Sequence, residues 1–251
     1  MKQTNKPPYK SLIYLGIIIG LGFLLQFLST PSTKKHDKIV EVVEEKTELP
    51  TNFDYVYKHF KVYNAEIDTE TVILFNNVCT HYKLDTTKQL LDLCIGQILY
   101  ESGAQQYYAS NHPKEGELVQ SYAGAIGIGQ IMPNTAYGII SKLSPKDATG
   151  MLKLGCTPVY SIRYSESVRK YSEKWISNKR NNLIMWGYIM KTNLSKRPNI
   201  YKALVSYNSG TGGMIRFIKN GGDVYQHKYV RGIRNTLSVV DRSTNDHEKV
   251  S

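Results

Sequence analysis

The sequence is poor in the residues that several kinds of functional site require. Its 251 residues include three cysteines and six histidines, and none of them falls at the spacing of a metal site. The glycine-rich stretch at residues 124–129 is not followed by the Lys-Ser or Lys-Thr pair of a phosphate-binding P-loop. We therefore predict no metal site and no P-loop, and we assign no cofactor.

The few cysteines cannot all pair with one another. They are Cys79, Cys94 and Cys156, and the first two occupy apolar positions on consecutive predicted helices. In an exported protein an odd number of cysteines leaves at least one thiol unpaired. We predict buried free thiols, with a Cys79–Cys94 disulfide as the alternative.

Acidic residues are also scarce. The chain has 21 Asp and Glu against 32 Lys and Arg, which gives a net charge of +11. Such an excess suits nucleic acid, an anionic membrane surface or an anionic cell wall. Because no basic run is interleaved with aromatic residues and no DNA or RNA motif is present, we predict no nucleic-acid partner.

Long apolar runs are absent except at the N-terminus. Residues 12–28 carry no charge, and Lys2, Lys6 and Lys10 precede them. This pattern predicts a transmembrane anchor over residues 11–29, with residues 1–10 in the cytoplasm and the rest on the outer or periplasmic side. A cleaved signal sequence of a secreted or virion protein is the alternative, although residues 27–32 lack a small-x-small cleavage site.

The rest of the chain predicts one mostly α domain. Residues 30–52 are a linker, residues 53–240 the domain, and residues 241–251 a polar tail. Phe53, Tyr55 and Tyr57 alternate as in a strand, but the run is too short to predict one, and we expect this segment to pack along the outside of the domain. Caps and apolar spacing predict helices over residues 68–82, 85–103, 133–143, 145–155, 158–176, 181–193, 200–207, 213–220 and 226–240.

A single carboxylate stands at the end of the second of these helices. Asp85-Thr86-Thr87 offers an N-cap and Gly103 a C-terminal stop, so Glu101 lies in the last turn. The negative end of the helix dipole and apolar neighbours both raise the pKa of a carboxyl group. A carboxylic acid that stays protonated near neutral pH can act as a general acid.

The second informative stretch is the glycine-rich loop. Gly124, Gly127 and Gly129 permit positive φ or close approach of a ligand to the backbone. Gln130 has a donor and an acceptor suited to sugar hydroxyls or amides. Pro133 suits the first position of the next helix.

Four segments in this order resemble the soluble lytic transglycosylase family of peptidoglycan-cleaving enzymes. The resemblance spans roughly residues 90–237, most of the exported part. The segments are Glu101-Ser102-Gly103, the loop 124–136, the segment 203–210 with Tyr207-Asn208, and Tyr229-Val230. The resemblance implies a mostly α, lysozyme-like fold of the goose type.

The resemblance also implies roles for individual residues. Glu101 would protonate the leaving oxygen of the β-1,4 bond between N-acetylmuramic acid and N-acetylglucosamine, then accept the proton of the muramic C6 hydroxyl, which gives a 1,6-anhydro product. The partner is therefore the peptidoglycan glycan strand. Six residues would hold the glycan or the acid: Ser102, Gln130, Met132, Tyr207, Asn208 and Tyr229.

The chain departs from the family pattern at several positions. Gly129 stands where the family usually has methionine before the loop glutamine. Asn182 and Gly187 fit the expected intermediate motif loosely, and Met190 falls where a tyrosine is expected. These departures bear on the shape of the glycan groove.

Two other functions stay open at this point. A goose-type hydrolase would need a second carboxylate, for which Asp223 and Glu117 are the candidates. A non-catalytic wall-binding part of an envelope-spanning secretion or conjugation machine, or of a virion, would be favoured by a Glu101 buried away from any cleft.

Overall fold

A computed structural model describes residues 49–110, 112–158 and 166–248. This part of the chain is mostly helical, and only isolated β-bridges supplement its helices. The described helices are α1 (Phe53–Tyr63), α2 (Thr69–Tyr82), α3 (Lys88–Ser102), α4 (Pro133–Ile140), α5 (Pro145–Lys153), α6 (Glu166–Ile176), α7 (Lys179–Lys196), α8 (Ile200–Lys219) and α9 (Lys228–Glu248).

All described residues belong to one compact unit, Glu48–Ser251. None of the described helices combines the length and apolar character needed to cross a bilayer. The predicted anchor at residues 11–29, the cytoplasmic segment and most of the predicted linker lie outside the described residues.

The predicted helix ends are confirmed at four positions. Asp68 Oδ1 accepts a hydrogen bond from the Thr71 amide at 2.6 Å and begins α2. Thr87 caps α3 in the same way, and Gly103 ends it in the left-handed conformation with φ of 63°. Pro133 occupies the first turn of α4, as its fixed φ predicts.

The expectation that the aromatic segment after residue 52 lies along the outside of the domain is wrong, and its strand-like alternation does not correspond to a strand. Residues Phe53–Tyr63 form α1, and this helix packs against α2, α3 and α9 instead of lying on the outside of the domain. Val56 and Phe60, one helical turn apart, are fully buried. The rings of Phe60 and Phe75 meet edge to face with centroids 5.0 Å apart.

Helix boundaries near residues 210 and 240 also differ from the prediction. The two helices predicted around residue 210 are merged into α8, which kinks at Gly210, where φ is 69°. Helix α9 continues to Glu248, so the start of the predicted polar tail is helical. Of the helix predicted over residues 158–176, the structure describes α6 from Glu166, and residues 159–165 lie outside the described range.

The core surrounds α7. Leu183 to Trp186 are all fully buried, and the Trp186 ring stacks on Phe75 with centroids 5.4 Å apart. The prediction of buried free thiols is confirmed, because all three cysteines are buried and unpaired by disulfides. Gly187 lets α7 approach α2 closely, since a Cβ atom there would lie 2.4 Å from Val78 Cγ1.

Two glycines allow α3 and α9 to pack closely. A Cβ atom at Gly96 would lie 2.6 Å from Leu237 Cγ, and one at Gly232 would lie 2.4 Å from the Tyr100 ring. Each glycine therefore makes room for a side chain of the facing helix. This close approach brings Tyr229, on α9, beside Glu101 at the end of α3.

Candidate active site

A pocket of about 300 Å³ opens between the end of α3, the glycine-rich loop and α8. It brings together five of the seven residues that the sequence predicted for the site. They are Glu101, Gln130, Met132, Tyr207 and Asn208. The other two, Ser102 and Tyr229, are not among its lining residues and contact the loop and the acid instead.

Glu101 is half-buried in the last turn of α3 and lines the pocket. Desolvation by burial raises the pKa of its carboxyl group from 4.5 to about 7, while the hydrogen bond from Tyr229 acts in the opposite direction. The shift has the direction that the helix end and apolar neighbours predict. At neutral pH the group can therefore give a proton and, once ionised, take one back.

Tyr229 lies behind Glu101 and is only 3% exposed. Its hydroxyl donates a hydrogen bond to Glu101 Oε1 and accepts one from Gln97 Nε2 at 3.1 Å. Burial, followed by the neighbouring charge of Glu101, raises the pKa of this hydroxyl well above its usual value. Because its hydroxyl stays neutral, Tyr229 can donate to Glu101 and so orient the carboxyl group.

The glycine-rich loop is held in place by two buried amide side chains. Asn182 Oδ1 accepts from the Gly129 amide at 2.8 Å, and Asn182 Nδ2 donates to the carbonyl of Ile126 at 2.9 Å. Gln106 Oε1 accepts from the Ile128 amide at 2.9 Å. These contacts place Asn182, which fits the family pattern loosely, at the base of the site.

Gly129 is glycine because the loop passes close to α7. A Cβ atom there would lie 3.0 Å from both Asn182 Oδ1 and Trp186 Cβ. The carbonyl of Gly129 accepts a hydrogen bond from the Tyr207 hydroxyl at 2.5 Å. Gly129, which stands where the resembled family usually has methionine, therefore contributes its backbone amide and carbonyl to hydrogen bonds with Asn182 and Tyr207.

Ser102 and Gln130 also support the loop. Ser102 Oγ donates to the carbonyl of Ile128 at 2.7 Å. Gln130 has a positive φ of 49°, and its Nε2 donates to the carbonyl of Gly127 at 2.9 Å while the residue lines the pocket. Ser102 and Gln130, which the resemblance assigns to glycan binding, therefore use part of their hydrogen-bonding groups on the loop itself.

The two candidate second carboxylates lie away from the pocket. Glu117 is exposed in the loop that pairs with Tyr108, and Asp223 accepts from the Tyr225 amide in the turn before α9. Neither lines the pocket. Among the described residues, Glu101 is the only carboxylate that does.

Several residues at the site were not singled out from the sequence. Ser121 and Ile189 line the pocket, and Tyr122, which lies between the lining residues Ser121 and Ala123 in the chain, is fully exposed. Gln97 is a polar residue at an apolar helical position, and that mismatch is the signal that could have found it. It is completely buried and bonds to Tyr229.

The arrangement can move a proton to and from a ligand with one carboxyl group. Glu101 lines the pocket together with the exposed Asn208, and the buried Tyr229 donates a hydrogen bond to Glu101 Oε1. Comparisons of the chain with protein-family models, curated proteins and solved structures gave no match. Functional interpretation therefore depends on the sequence motifs and the geometry of this pocket.

Proposed function

We propose that the protein is a peptidoglycan lytic transglycosylase. The observation that carries the proposal is Glu101, the one described carboxylate that lines the pocket, with its pKa raised to about 7. Hydrolysis with a separate base or nucleophile needs two carboxyl groups, whereas an intramolecular route needs one. The site supports the second route better.

The proposed reaction uses Glu101 twice. Its carboxyl proton goes to the glycosidic oxygen as the bond from that oxygen to C1 of the muramic residue breaks. The resulting carboxylate takes the proton of the C6 hydroxyl as that oxygen bonds to C1, and the product is the 1,6-anhydro sugar. No water is consumed, and the attacking group gains from being part of the bound substrate.

The other site residues bind and orient. Asn208 is exposed at the pocket and offers an amide to the acetamido groups or hydroxyls of the glycan. Met132 is 37% exposed and offers an apolar surface to a sugar ring. The exposed ring of Tyr122, between the lining residues Ser121 and Ala123, offers an aromatic face, while Tyr207 and Ser102 keep the loop in place.

The proposed location follows from the proposed substrate. Residues 11–29 would anchor the protein in the cytoplasmic membrane, and the domain would act on glycan strands outside it. The positive charge of the chain, +11, suits both an anionic wall and an anionic membrane surface. Wall turnover, an envelope secretion or conjugation machine, and phage entry are all processes that use such cleavage.

The test is mass spectrometry of muropeptides released from purified peptidoglycan by the full-length protein. Wild type should release fragments one water lighter than those with reducing-end sugars. Glu101→Gln should release less than about one-hundredth as much, because general acid–base catalysis contributes roughly 10²–10⁴-fold. Glu117→Gln is the matched control, since Glu117 is exposed and does not line the pocket.

The same experiment separates the alternatives. Fragments with reducing ends would mean hydrolysis and would overturn the transglycosylase proposal. Binding to the wall without release by wild type would favour a non-catalytic component of an envelope machine or virion. Equal release by Glu101→Gln and wild type would remove Glu101 from the mechanism.

A further inference from the structure

A line of buried polar groups runs from the core to Glu101. The Trp186 indole Nε1–H donates to Gln97 Oε1 at 3.1 Å, and Gln97 Nε2 donates to the Tyr229 hydroxyl at 3.1 Å. The Tyr229 hydroxyl then donates to Glu101 Oε1. Trp186 and Gln97 are 0% exposed and Tyr229 is 3% exposed, so water does not compete for these contacts.

The chemistry of the first group sets the direction of the whole line. An indole N–H can only donate, so the oxygen of the Gln97 amide must face Trp186 and its NH₂ must face Tyr229. The Tyr229 oxygen therefore accepts from Gln97. The hydroxyl hydrogen of Tyr229 therefore points to Glu101, whose Oε1 accepts it.

We propose that Trp186 and Gln97 are positioning residues that determine, through Tyr229, which oxygen of Glu101 carries the transferable proton. Oε1 is held as an acceptor by the Tyr229 hydroxyl, so the proton of the neutral acid resides on Oε2. The same constraint persists after the proton leaves. A single oxygen, Oε2, then gives the proton to the leaving glycosidic oxygen and receives the one from the C6 hydroxyl.

This inference rests on the proposed function only for the identity of the substrate. The direction of the hydrogen bonds is a property of the protein alone. Three helices contribute to it, because Gln97 lies on α3 with Glu101, Trp186 on α7 and Tyr229 on α9.

The surroundings of Glu101 make its titration easy to follow. The titratable groups that interact with it are Tyr229 and Tyr207, and burial raises the pKa of both hydroxyls well above the usual value. Neither changes charge while Glu101 titrates. His227 accepts from the Tyr229 backbone amide, and its pKa is lowered by burial and by Lys228.

The direct test is NMR of the tryptophan indole N–H signals as a function of pH in the full-length protein. The chain has two tryptophans, so Trp175 provides an internal control; its indole is also buried and donates to the carbonyl of Thr157 at 3.1 Å. The Trp186 signal should shift with the midpoint of the Glu101 carboxyl, measured by ¹³C NMR. The Trp175 signal should not follow that midpoint.

Two variants identify the source of the shift. Glu101→Gln and Tyr229→Phe should each abolish the pH-dependent movement of the Trp186 signal, whereas His227→Asn should leave it. A Trp186 signal that stays constant while the Glu101 carboxyl titrates would overturn the proposal. So would a movement that survives in Glu101→Gln, because its origin would then lie elsewhere.

Substitutions at Trp186 and Gln97 test whether these two residues in turn affect the titration of Glu101. Trp186→Phe and Gln97→Leu should each raise the titration midpoint of the Glu101 carboxyl group by about 0.5 pH unit, because they weaken a hydrogen bond that stabilises the carboxylate. Tyr229→Phe, which removes that hydrogen bond, should raise the midpoint by more. Trp175→Phe and Gln89→Leu are the matched controls. Gln89 also donates to a tyrosine, the Tyr201 hydroxyl at 3.0 Å, but on the exposed part of α3.

The double variant Trp186→Phe/Tyr229→Phe completes the cycle. It should show the same Glu101 midpoint as Tyr229→Phe alone, since Trp186 acts only through Tyr229. Folded single variants with the wild-type midpoint would contradict the proposal, and if they do not fold, the wild-type indole titration decides it. A coupled titration in a protein that releases no muropeptides would uphold this inference and reject the proposed function.

Discussion

Glu101 is the residue on which the proposed chemistry depends, and its environment predicts a pH profile. The carboxyl group must be protonated at the start of the reaction, and its pKa is raised to about 7 by burial. We expect kcat/KM on soluble glycan strands to fall about tenfold for each pH unit above that value. Asp223→Asn should keep the same profile, and a rate that stays constant to about pH 9 would argue against Glu101 as the acid.

The same shift predicts a pH-dependent cost in stability. The folded-state pKa of Glu101, about 7, lies above the ordinary value of 4.5, so the folded state binds the proton more tightly than the unfolded state. The favourable contribution of this group is full below about pH 4 and is lost as pH rises through about 7. Glu101→Gln cannot undergo this loss.

We therefore expect Glu101→Gln to gain stability relative to wild type as pH rises. The difference in the free energy of unfolding should grow by up to about 3 kcal/mol between about pH 4 and pH 8. Urea denaturation at the two pH values measures it. Glu117→Gln should show no such growth, and neither should Glu101→Gln if the carboxyl group is fully solvated in solution.

At the scale of the elements, helix packing at glycines determines the shape of the site. Gly187 lets α7 approach α2, and Gly96 and Gly232 let α3 approach α9. Helix α7 carries Asn182, which holds the loop, and α9 carries Tyr229, which holds the acid. Small residues at these crossings thus have an effect on a pocket that they do not line.

Gly187→Ala tests this packing. A Cβ atom there would lie 2.4 Å from Val78 Cγ1 and 2.7 Å from Tyr82 Cδ2, so we expect a loss of roughly 1–3 kcal/mol in the free energy of unfolding. Gly138→Ala in α4 is the matched control, since nothing lies within 4 Å of its Cβ position. The control should gain up to about 1 kcal/mol from helix propensity.

Chemical denaturation of the two variants gives the comparison. If Gly187→Ala were as stable as Gly138→Ala, the close approach of α7 to α2 would not exist in solution. We also expect Gly187→Ala to release muropeptides more slowly than Gly138→Ala at equal folded fraction. The reason is that a shift of α7 moves Asn182 away from the Gly129 amide, with which it now makes a 2.8 Å hydrogen bond.

At the scale of the whole molecule, charge predicts how the protein meets its substrate. The net charge of +11 attracts anionic polymers, and salt screens such attraction over about 10 Å at 0.1 M ionic strength. We expect binding of full-length Glu101→Gln to purified cell walls to weaken several-fold between roughly 0.05 and 0.5 M salt. Sedimentation with the walls measures it.

A neutral glycan is the control for this prediction. Binding to chitin, a β-1,4-linked polymer of N-acetylglucosamine without acidic groups, should depend little on salt. Equal salt dependence for wall and chitin would show that the excess of basic residues does not act on the substrate. The basic residues would then have to serve another surface, such as the membrane.

Local sequence determined the ends of several elements. Asp68, Thr87, Gly103 and Pro133 act within one helical turn, so their roles were predictable without a fold. The alternation of aromatic residues after residue 53 was misleading, because three residues over so short a run fit either period. Helix formation there depended on burying Val56 and Phe60 against other helices.

The sequence by itself singled out Glu101, the glycine-rich loop and the order of the motifs. Only the tertiary structure decided which residues surround the acid. Tyr229 lies 128 positions from Glu101 and 132 from Gln97, and the approach of α3 and α9 at Gly96 and Gly232 closes that separation. The tertiary structure also showed that Asp223 and Glu117 do not line the pocket. Contacts between residues so far apart depend on how helices pack, and no local pattern encodes that packing.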